Sequence, residues 1–211
     1  GHVRSYFAEA LYINPEILTD GEGKANIAIP LADSITTWRM AMFASTQAGA
    51  LGTGTSDLKV FQDFFVDLDL PVTLTQADRI TIPVAVYNYT SHNGDVELKL
   101  QPEDWFSLDS AERQTVSVPA GQVRSAQFTI EAKRIGKFKL TLTGIMQGDS
   151  KSEDTVVREI EVVPNGEAKE IVFNGRLDTA VHQIVRFPQS AIPDANKLFV
   201  RLYPGPLSQV I

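Results

Sequence analysis

The sequence predicts an all-β protein built around an antiparallel β-sandwich of the immunoglobulin or fibronectin type III kind. Two observations carry this prediction. Apolar and polar residues alternate with a period of two over much of the chain, which is typical of strands with one face in a core and one in water. Turn-forming residues interrupt these segments at roughly the 8–12-residue spacing of a sandwich.

The middle of the chain carries the clearest strands. The alternating apolar residues lie in segments 60–70, 80–86, 96–100 and 138–142. Asn93-Gly94 tolerates positive φ at both positions and predicts a type I′ hairpin between the segment 87–90 and the strand that contains Val96. Later turns are expected at 119–121, at 133–136 and in the polar segment 149–154. About seven strands between residues 64 and 163 would make one complete sandwich.

The two ends contain fewer predicted strands. Before the sandwich, strands are expected around 27–29, 38–42 and 58–60, with a turn at 20–23. After it, strand-like segments lie at 169–173, 181–187 and 197–203. Three or four strands are too few to close a sandwich, so each end is interpreted as part of a domain.

Composition narrows the function classes. The 211 residues include 19 Lys and Arg against 26 Asp and Glu, a net charge of −7, and no basic stretch. This balance disfavours binding to nucleic acid or to anionic membrane surfaces. The absence of cysteine excludes disulfides, a thiolate nucleophile and thiolate metal ligands from this chain. There is no apolar run of about 18 residues and no signal peptide, and Gly1-His2 is interpreted as the remnant of a cleaved tag.

Three motifs in order resemble a signature of the alpha-2-macroglobulin and complement family. They are Asp33-Ser34-Ile35-Thr36-Thr37-Trp38, the segment from Val60 to Pro71 (VFQDFFVDLDLP), and Val86-Tyr87-Asn88-Tyr89. The segment from Tyr6 to Leu11 is similar to the stretch after the family's bait region, with Ala8 where the family usually has proline. The segment from Lys197 to Pro204 resembles the bacterial branch of the family just ahead of its thioester domain.

The resemblance implies a domain organisation. Residues 3–60 would be the second part of a macroglobulin-like domain that the bait region interrupts. Residues 61–164 would be one complete macroglobulin-like sandwich. Residues 165–211 would be the first part of a CUB-like β domain leading toward a thioester domain.

The resemblance also implies a function, which is to act as scaffold in a broad-spectrum protease inhibitor. In the family a protease cuts the bait, the molecule rearranges, and the protease is trapped or bound through the thioester. The family thioester needs the Cys of a Cys-x-Glu-Gln pattern, so it cannot form in a chain without cysteine. We expect a secreted or periplasmic, non-enzymatic protein, and a membrane-anchored parent is left open as an alternative. Its expected partners are proteases, through the parent, other domains of the same chain, and further copies that pair through exposed strand edges.

No residues are assigned to catalysis, to a cofactor or to a metal. His92 and His182 are interpreted as isolated surface residues. Residues 49–56 are interpreted as a glycine-rich connection rather than a phosphate loop, and Asp20/Glu22 and Asp149/Glu153/Asp154 as solvated turns rather than calcium sites.

Three further segments have two interpretations each. Glu103-Asp104 beside Trp105-Phe106 could supply sugar-hydrolase carboxylates, but core packing of the aromatic pair is favoured. Asn88-Tyr89-Thr90 matches a glycosylation acceptor, which matters in a eukaryotic source. Trp38, Met40 and Met42 share one strand face, either as core or as a surface that a missing half-domain covers.

Two other functions stay open. A tandem of fibronectin-like adhesion modules would place regular copies of the sandwich on either side of this one. An all-β hydrolase is the third alternative, although the sequence offers neither a carboxylate pair nor a nucleophile with its base.

Overall fold

The computed structural model describes residues 2–147 and 152–204, and all regular secondary structure in these residues is β. The strands are β1 (Val3–Arg4), β2 (Thr37–Ser45), β3 (Leu51–Lys59), β4 (Phe64–Leu68), β5 (Thr73–Thr75), β6 (Arg79–Asn88), β7 (Gly94–Leu100), β8 (Phe106–Leu108), β9 (Arg113–Val118), β10 (Gln122–Ala132), β11 (Gly136–Gln147) and β12 (Ser152–Val163). The prediction of an all-β fold is confirmed.

Two sheets face each other in the middle of the chain. One has the strand order β4-β6-β10-β8, and the other has the order β1-β12-β11-β7-β9 with β5 also paired to β12. Strands that are neighbours in a sheet come largely from non-consecutive segments of the chain. This is the Greek-key connectivity of immunoglobulin-like sandwiches.

The core lies between these sheets and follows the alternation seen in the sequence. The largest fully buried side chains are Trp105, Phe128, Ile82, Leu98, Leu100, Ile130, Leu140, Leu142, Val66, Val84, Val86 and Val96. Trp105 stacks on Phe138 with ring centroids 5.3 Å apart, and its indole N–H donates to the carbonyl of Lys139 at 3.1 Å. The expectation that Trp105 and Phe106 pack in the core is confirmed.

The predicted hairpin at Asn93-Gly94 is wrong. β6 pairs with β4 and β10, whereas β7 pairs with β9 and β11, so the segment between them crosses from one sheet to the other. Gly94 has no positive φ, and a Cβ there would clash with the side chain of Met146 on the neighbouring strand. The glycine therefore permits close packing on β11 rather than a tight turn.

β12 carries two short strands on one edge. β1 pairs with it in parallel through Val3↔Thr155 and Arg4↔Val156, and β5 pairs in parallel through residues 73–75 and 161–163. The opposite edge of β12 pairs with β11 in an antiparallel ladder from Gly136 to Met146. The first residues of the chain thus join a sheet that otherwise comes from residues beyond 72.

β2 and β3 form a separate antiparallel hairpin, with Thr37 opposite Lys59 and Ser45 opposite Leu51. The interpretation of residues 49–56 as a connection is wrong for most of its length, because Gly52 and Gly54 lie inside β3. The connection is the turn at residues 46–50, where Gly49 has a φ of 84° and its amide donates to the carbonyl of Thr46.

The strands expected at 27–29, 169–173, 181–187 and 197–203 are absent from the structure. The apolar side chains of these last three segments are largely exposed, including Ile171, Phe173, Leu198 and Phe199. An alternating sequence forms a stable strand when a neighbour satisfies its backbone groups, and none pairs with these segments here.

Candidate functional site

The most elaborate polar arrangement in the structure joins the beginning of the chain to the sandwich. We call residues 2–7 the strap, because they run across the side of the sandwich where β12 and β4 meet. Within the strap, Arg4 is 3% exposed, and its partner Asp154 on β12 is 2% exposed. A buried charge is stable when paired and hydrogen-bonded, so the contacts of these two residues decide how firmly the strap is held.

The guanidinium of Arg4 is bound through two of its nitrogens. Nε lies 3.0 Å from Oδ1 and 3.3 Å from Oδ2 of Asp154, and Nη2 lies 2.7 Å from Oδ2. Nη2 also donates to the carbonyl oxygen of Val66 on β4. The side chain of one strap residue thus bonds to both sheets.

Asp154 has a further donor. The backbone amide of Val66 lies 2.9 Å from Oδ2 of Asp154, so the carboxylate accepts from β4 as well as from Arg4. Both backbone polar groups of Val66 are therefore used by the buried ion pair. Removal of either charged side chain would leave buried polar groups without partners.

Aromatic rings and a second ion pair surround the first. The ring of Phe65 lies 5.7 Å from the Arg4 guanidinium and stacks on Tyr87 at 4.3 Å. The ring of Phe7 lies 3.5 Å from the guanidinium of Arg158, which pairs with Asp67 at 2.9 Å. These are distances at which cations bind to aromatic faces.

Asp33 fixes the strap from its other side. Its Oδ2 accepts from the amides of Ser5 at 2.9 Å and Tyr6 at 2.8 Å, its Oδ1 accepts from the His2 ring at 2.6 Å, and its own amide donates to the Tyr6 carbonyl at 2.7 Å. Burial raises the pKa of Asp33, but the hydrogen bonds from His2, Tyr6 and Ser5 and the charge of His2 act in the opposite direction. The net pKa lies below the ordinary value of 3.8.

Two grooves flank the strap. One of about 510 Å³ is lined by Arg4, Phe7, Lys59, Phe61, Tyr89 and neighbouring residues between the base of the hairpin and the sandwich. The other, of about 1000 Å³, runs past Tyr6 and along residues 67–70 of one sheet and 157–159 of the other. The strap therefore lies between two grooves and lines part of each.

The histidine and carboxylate candidates from the sequence lie apart from one another. His92 and His182 are exposed. Asp20 accepts from the amides of Glu22 and Lys24 within a turn, and Asp104 pairs with Arg134. Across residues 2–147 and 152–204, His, Asp and Glu side chains form no group of three or more that could hold a metal ion.

The acidic segment 149–154 is different from the expected solvated turn. Asp149 lies outside the described residues. Glu153 is exposed, whereas Asp154 is buried against Arg4, so the interpretation of Asp154 as part of a solvated turn is wrong. Sequence alternation places Asp154 on the same side of β12 as Val156, which faces the core, but it does not name the partner that makes burial of the charge tolerable.

Asn88, the first residue of the glycosylation pattern, is fully buried. Its Nδ2 donates to the carbonyls of His92 at 2.8 Å and Val118 at 3.0 Å, and its Oδ1 accepts from the amide and hydroxyl of Thr90. In the folded chain the amide nitrogen is thus used internally. Asn88 acts as a structural link between the end of β6 and the end of β9.

The hairpin and the last described segment expose large apolar side chains. Trp38 is half-buried, whereas Met40 and Met42 are 45% and 47% exposed, so this strand face is not core within the described residues. Phe43 and Leu51 are each 84% exposed. In the described part of the chain, no helix is long and apolar enough to cross a membrane.

Sequence reasoning missed the Arg4–Asp154 pair because its members are 150 residues apart. Arg4 lies before any predicted strand, and a single arginine near a chain start carries no signal of burial. The unusual acidic residue within the alternating pattern of β12 was the available indication. A polar residue at a core-facing position requires a partner, although the sequence does not specify which.

Several known proteins are similar in sequence to this chain. A model of the alpha-2-macroglobulin family matches residues 10–100. Complement C3 of Naja naja is 31% identical over 205 residues, which cover 92% of this chain and 12% of that protein. Ophiophagus venom factor of Ophiophagus hannah is 27% identical over 180 residues, and complement C3 of Eptatretus burgeri is 24% identical over 212 residues.

The chain spans 11–13% of the length of these three relatives. Among solved structures, the native conformation of E. coli alpha-2-macroglobulin matches with a TM-score of 0.48 and 17% identity, over 69% of this chain and 9% of that one. Because complement C3 of Naja naja is 31% identical across 92% of this chain and the family model matches residues 10–100, the chain belongs to the alpha-2-macroglobulin family.

Proposed function

We propose that this chain is a non-catalytic scaffold segment of an alpha-2-macroglobulin-like broad-spectrum protease inhibitor that serves in defence. In this proposal it lies between the bait region and the thioester domain of a periplasmic or extracellular protein. Its partners are proteases, through the parent protein, and the neighbouring domains.

The buried pair of Arg4 and Asp154 is the observation that supports a scaffold role most directly. It fixes the first residues of the chain to a sandwich formed by residues 64–163, and Asp33 connects the same strap to the segment that leads into the hairpin. A scaffold that transmits a rearrangement needs contacts that hold distant segments in one geometry. A buried ion pair that is hydrogen-bonded to both sheets has that property.

The distribution of polar groups favours a non-catalytic role. The buried polar side chains Arg4, Asn88 and Asp154 all form hydrogen bonds within the fold. Catalytic groups are usually partly accessible and have a pKa shifted toward their task. Turnover of any substrate in a panel of chromogenic esters and glycosides would refute this part of the proposal.

Protease trapping is tested with the protein that carries this chain. A protease enclosed by an inhibitor should lose activity on a large protein substrate while it still cleaves a small peptide substrate. We expect this difference for proteases of several classes. If the protease keeps equal activity on both substrates at every ratio of inhibitor to protease, the inhibitor role is refuted. If the protein retains a protein or glycan ligand and has no effect on proteases, an adhesion module is favoured.

The scaffold role has a more specific test in the same assay. Asp154→Asn removes a buried charge that holds the strap, whereas Asp57→Asn alters an exposed pair with Arg39 on the hairpin. We expect Asp154→Asn to reduce the fraction of protease trapped and Asp57→Asn to leave it unchanged. Equal trapping by the two variants would show that inhibition does not depend on how the strap is held.

A further inference from the structure

On the side of the sandwich beneath the strap, a carboxylate, a backbone carbonyl and an aromatic ring surround one guanidinium ion. The carboxylate of Asp154 accepts from Nε and Nη2 of Arg4, the Val66 carbonyl accepts a further bond from Nη2, and the Phe65 ring lies 5.7 Å from the guanidinium carbon. Charge, hydrogen-bond acceptors and an aromatic face are the three features that bind arginine side chains.

The arrangement favours arginine over lysine. Asp154 is engaged by two nitrogens of the planar guanidinium, and one of these nitrogens also reaches the opposite sheet. A lysine ammonium has its three N–H donors on one nitrogen, so it cannot reproduce the two side-by-side nitrogens of a guanidinium at the carboxylate. The site thus discriminates between cations by their shape as well as by their charge.

The acceptor groups belong to the sandwich and not to the strap. Asp154 lies in β12 opposite Gly144 of β11, Val66 lies in β4 opposite Val86, and Phe65 stacks on Tyr87 of β6. The strap contributes two residues of parallel pairing, and no strand is assigned from residue 5 to residue 36. A parallel pair of this length contributes little stability alone.

We propose that Asp154, Val66 and Phe65 form an arginine-binding site on the sandwich. It accepts an arginine from an extended segment that pairs in parallel with β12, and Arg4 fills it in this structure. The site sets the register of the strap, because a shift of one residue along β12 would turn Arg4 away from Asp154. The strap is the separable part, and its release leaves the arginine site and the edge of β12 at residues 155–156 accessible.

Chemical rescue tests the site in the whole chain. Arg4→Ala empties the site and leaves the Asp154 carboxylate without its cation, so the midpoint of thermal unfolding should fall by on the order of 10 °C or more. Millimolar ethylguanidinium should recover part of this loss, and ethylammonium at the same concentration should recover less. Arg124→Ala is the matched control, because Arg124 is exposed and its side chain donates to the carbonyl of the adjacent Val123.

Hydrogen exchange at the Val66 amide shows whether the loss of stability and its rescue occur at the arginine site. The Val66 amide donates to Asp154 and should exchange faster in Arg4→Ala, with protection restored by ethylguanidinium. In Arg4→Met with Asp154→Leu, the charged acceptor is gone and ethylguanidinium should have no effect. Equal rescue by ethylammonium, or rescue of the double variant, would overturn the proposal.

If Arg4→Ala does not fold, the proposal is tested with Arg4→Lys. This variant keeps the positive charge and loses the planar donor pair, so it should unfold at a lower temperature than the starting chain and exchange its Val66 amide faster. An unfolding midpoint and an exchange rate equal to those of the starting chain would show that the site does not distinguish a guanidinium from an ammonium group.

Discussion

Asn88 and Asp154 are buried polar residues that connect strands distant in sequence. Asn88 bridges the connection after β6 to the end of β9, and Asp154 bridges β12 to both the strap and β4. In both cases a side chain satisfies backbone groups that the sheet ladders leave unpaired. At the residue scale, these two positions specify which segments meet at the edges of the sandwich.

Asn88→Ala should lower the free energy of unfolding by about 1–3 kcal/mol, because the carbonyls of His92 and Val118 each lose a donor. Equilibrium unfolding in urea measures this change. Asn93→Ala on the same connection is the control. Asn93 is exposed and accepts from the amide of Ala120, so its loss should cost less. Equal costs would contradict the structural role of Asn88.

At the scale of elements, β12 is the strand that joins the strap and β5 to the sandwich. One of its edges holds β11 along the length of the sheet, and the other holds β1 and β5 at separate positions. β2 and β3 instead pair with each other, and the two rows of backbone groups on their outer edges have no strand beside them in the described residues. Unpaired strand edges and exposed apolar residues favour association with other β elements.

The strap should bind less firmly in acid. The pKa of Asp33 is lowered in the folded chain, so its contribution is fully present above the ordinary pKa of 3.8 and is lost as the pH falls through the lower folded value. Amide exchange at Ser5 and Tyr6 in the starting chain, divided by that in Asp33→Asn at each pH, measures this contribution. The protection ratio should decline below about pH 4. A ratio that does not change with pH would show that the carboxylate does not hold the strap.

At the scale of the whole molecule, the described residues differ sharply in burial. The core consists of residues from β4 through β12, whereas the side chains of the hairpin and of residues 165–190 are largely exposed. Stability should therefore be concentrated in residues 64–163, and the ends should open at lower free energy. The strap is the exception to the low stability of the ends, because it extends the sheet and its Arg4 is as buried as the core residues.

Limited proteolysis should reveal this difference. The first cuts should occur in the turn at 46–50 and within 165–204, because these residues are exposed and lack the ladder bonds that resist a protease. The cut in the hairpin should stay within this turn, because β3 begins at Leu51. Early cleavage inside β6 or β10, identified by mass spectrometry, would contradict this order of stability.

The sequence by itself determined the fold class and most of the core. The alternation along β4, β6, β7 and β11 fixes which side chains face inward, because period-two burial is a local property of a strand. The family was also readable, since its motifs lie within continuous segments. The position of Trp105 in the core followed from its size and apolar character.

Tertiary structure decided which strands pair and where the candidate site lies. Asn93-Gly94 carried the local signal of a hairpin, but β6 and β7 gain more by joining different sheets, where their inward faces meet across one core. The strands expected at 27–29, 169–173, 181–187 and 197–203 did not form, because an alternating sequence defines an apolar face but does not provide a neighbouring strand for the backbone groups. Arg4 and Asp154 meet because folding places β1 beside β12 in one sheet and β4 next to them in the facing sheet. No local pattern encodes a contact that depends on where three strands lie.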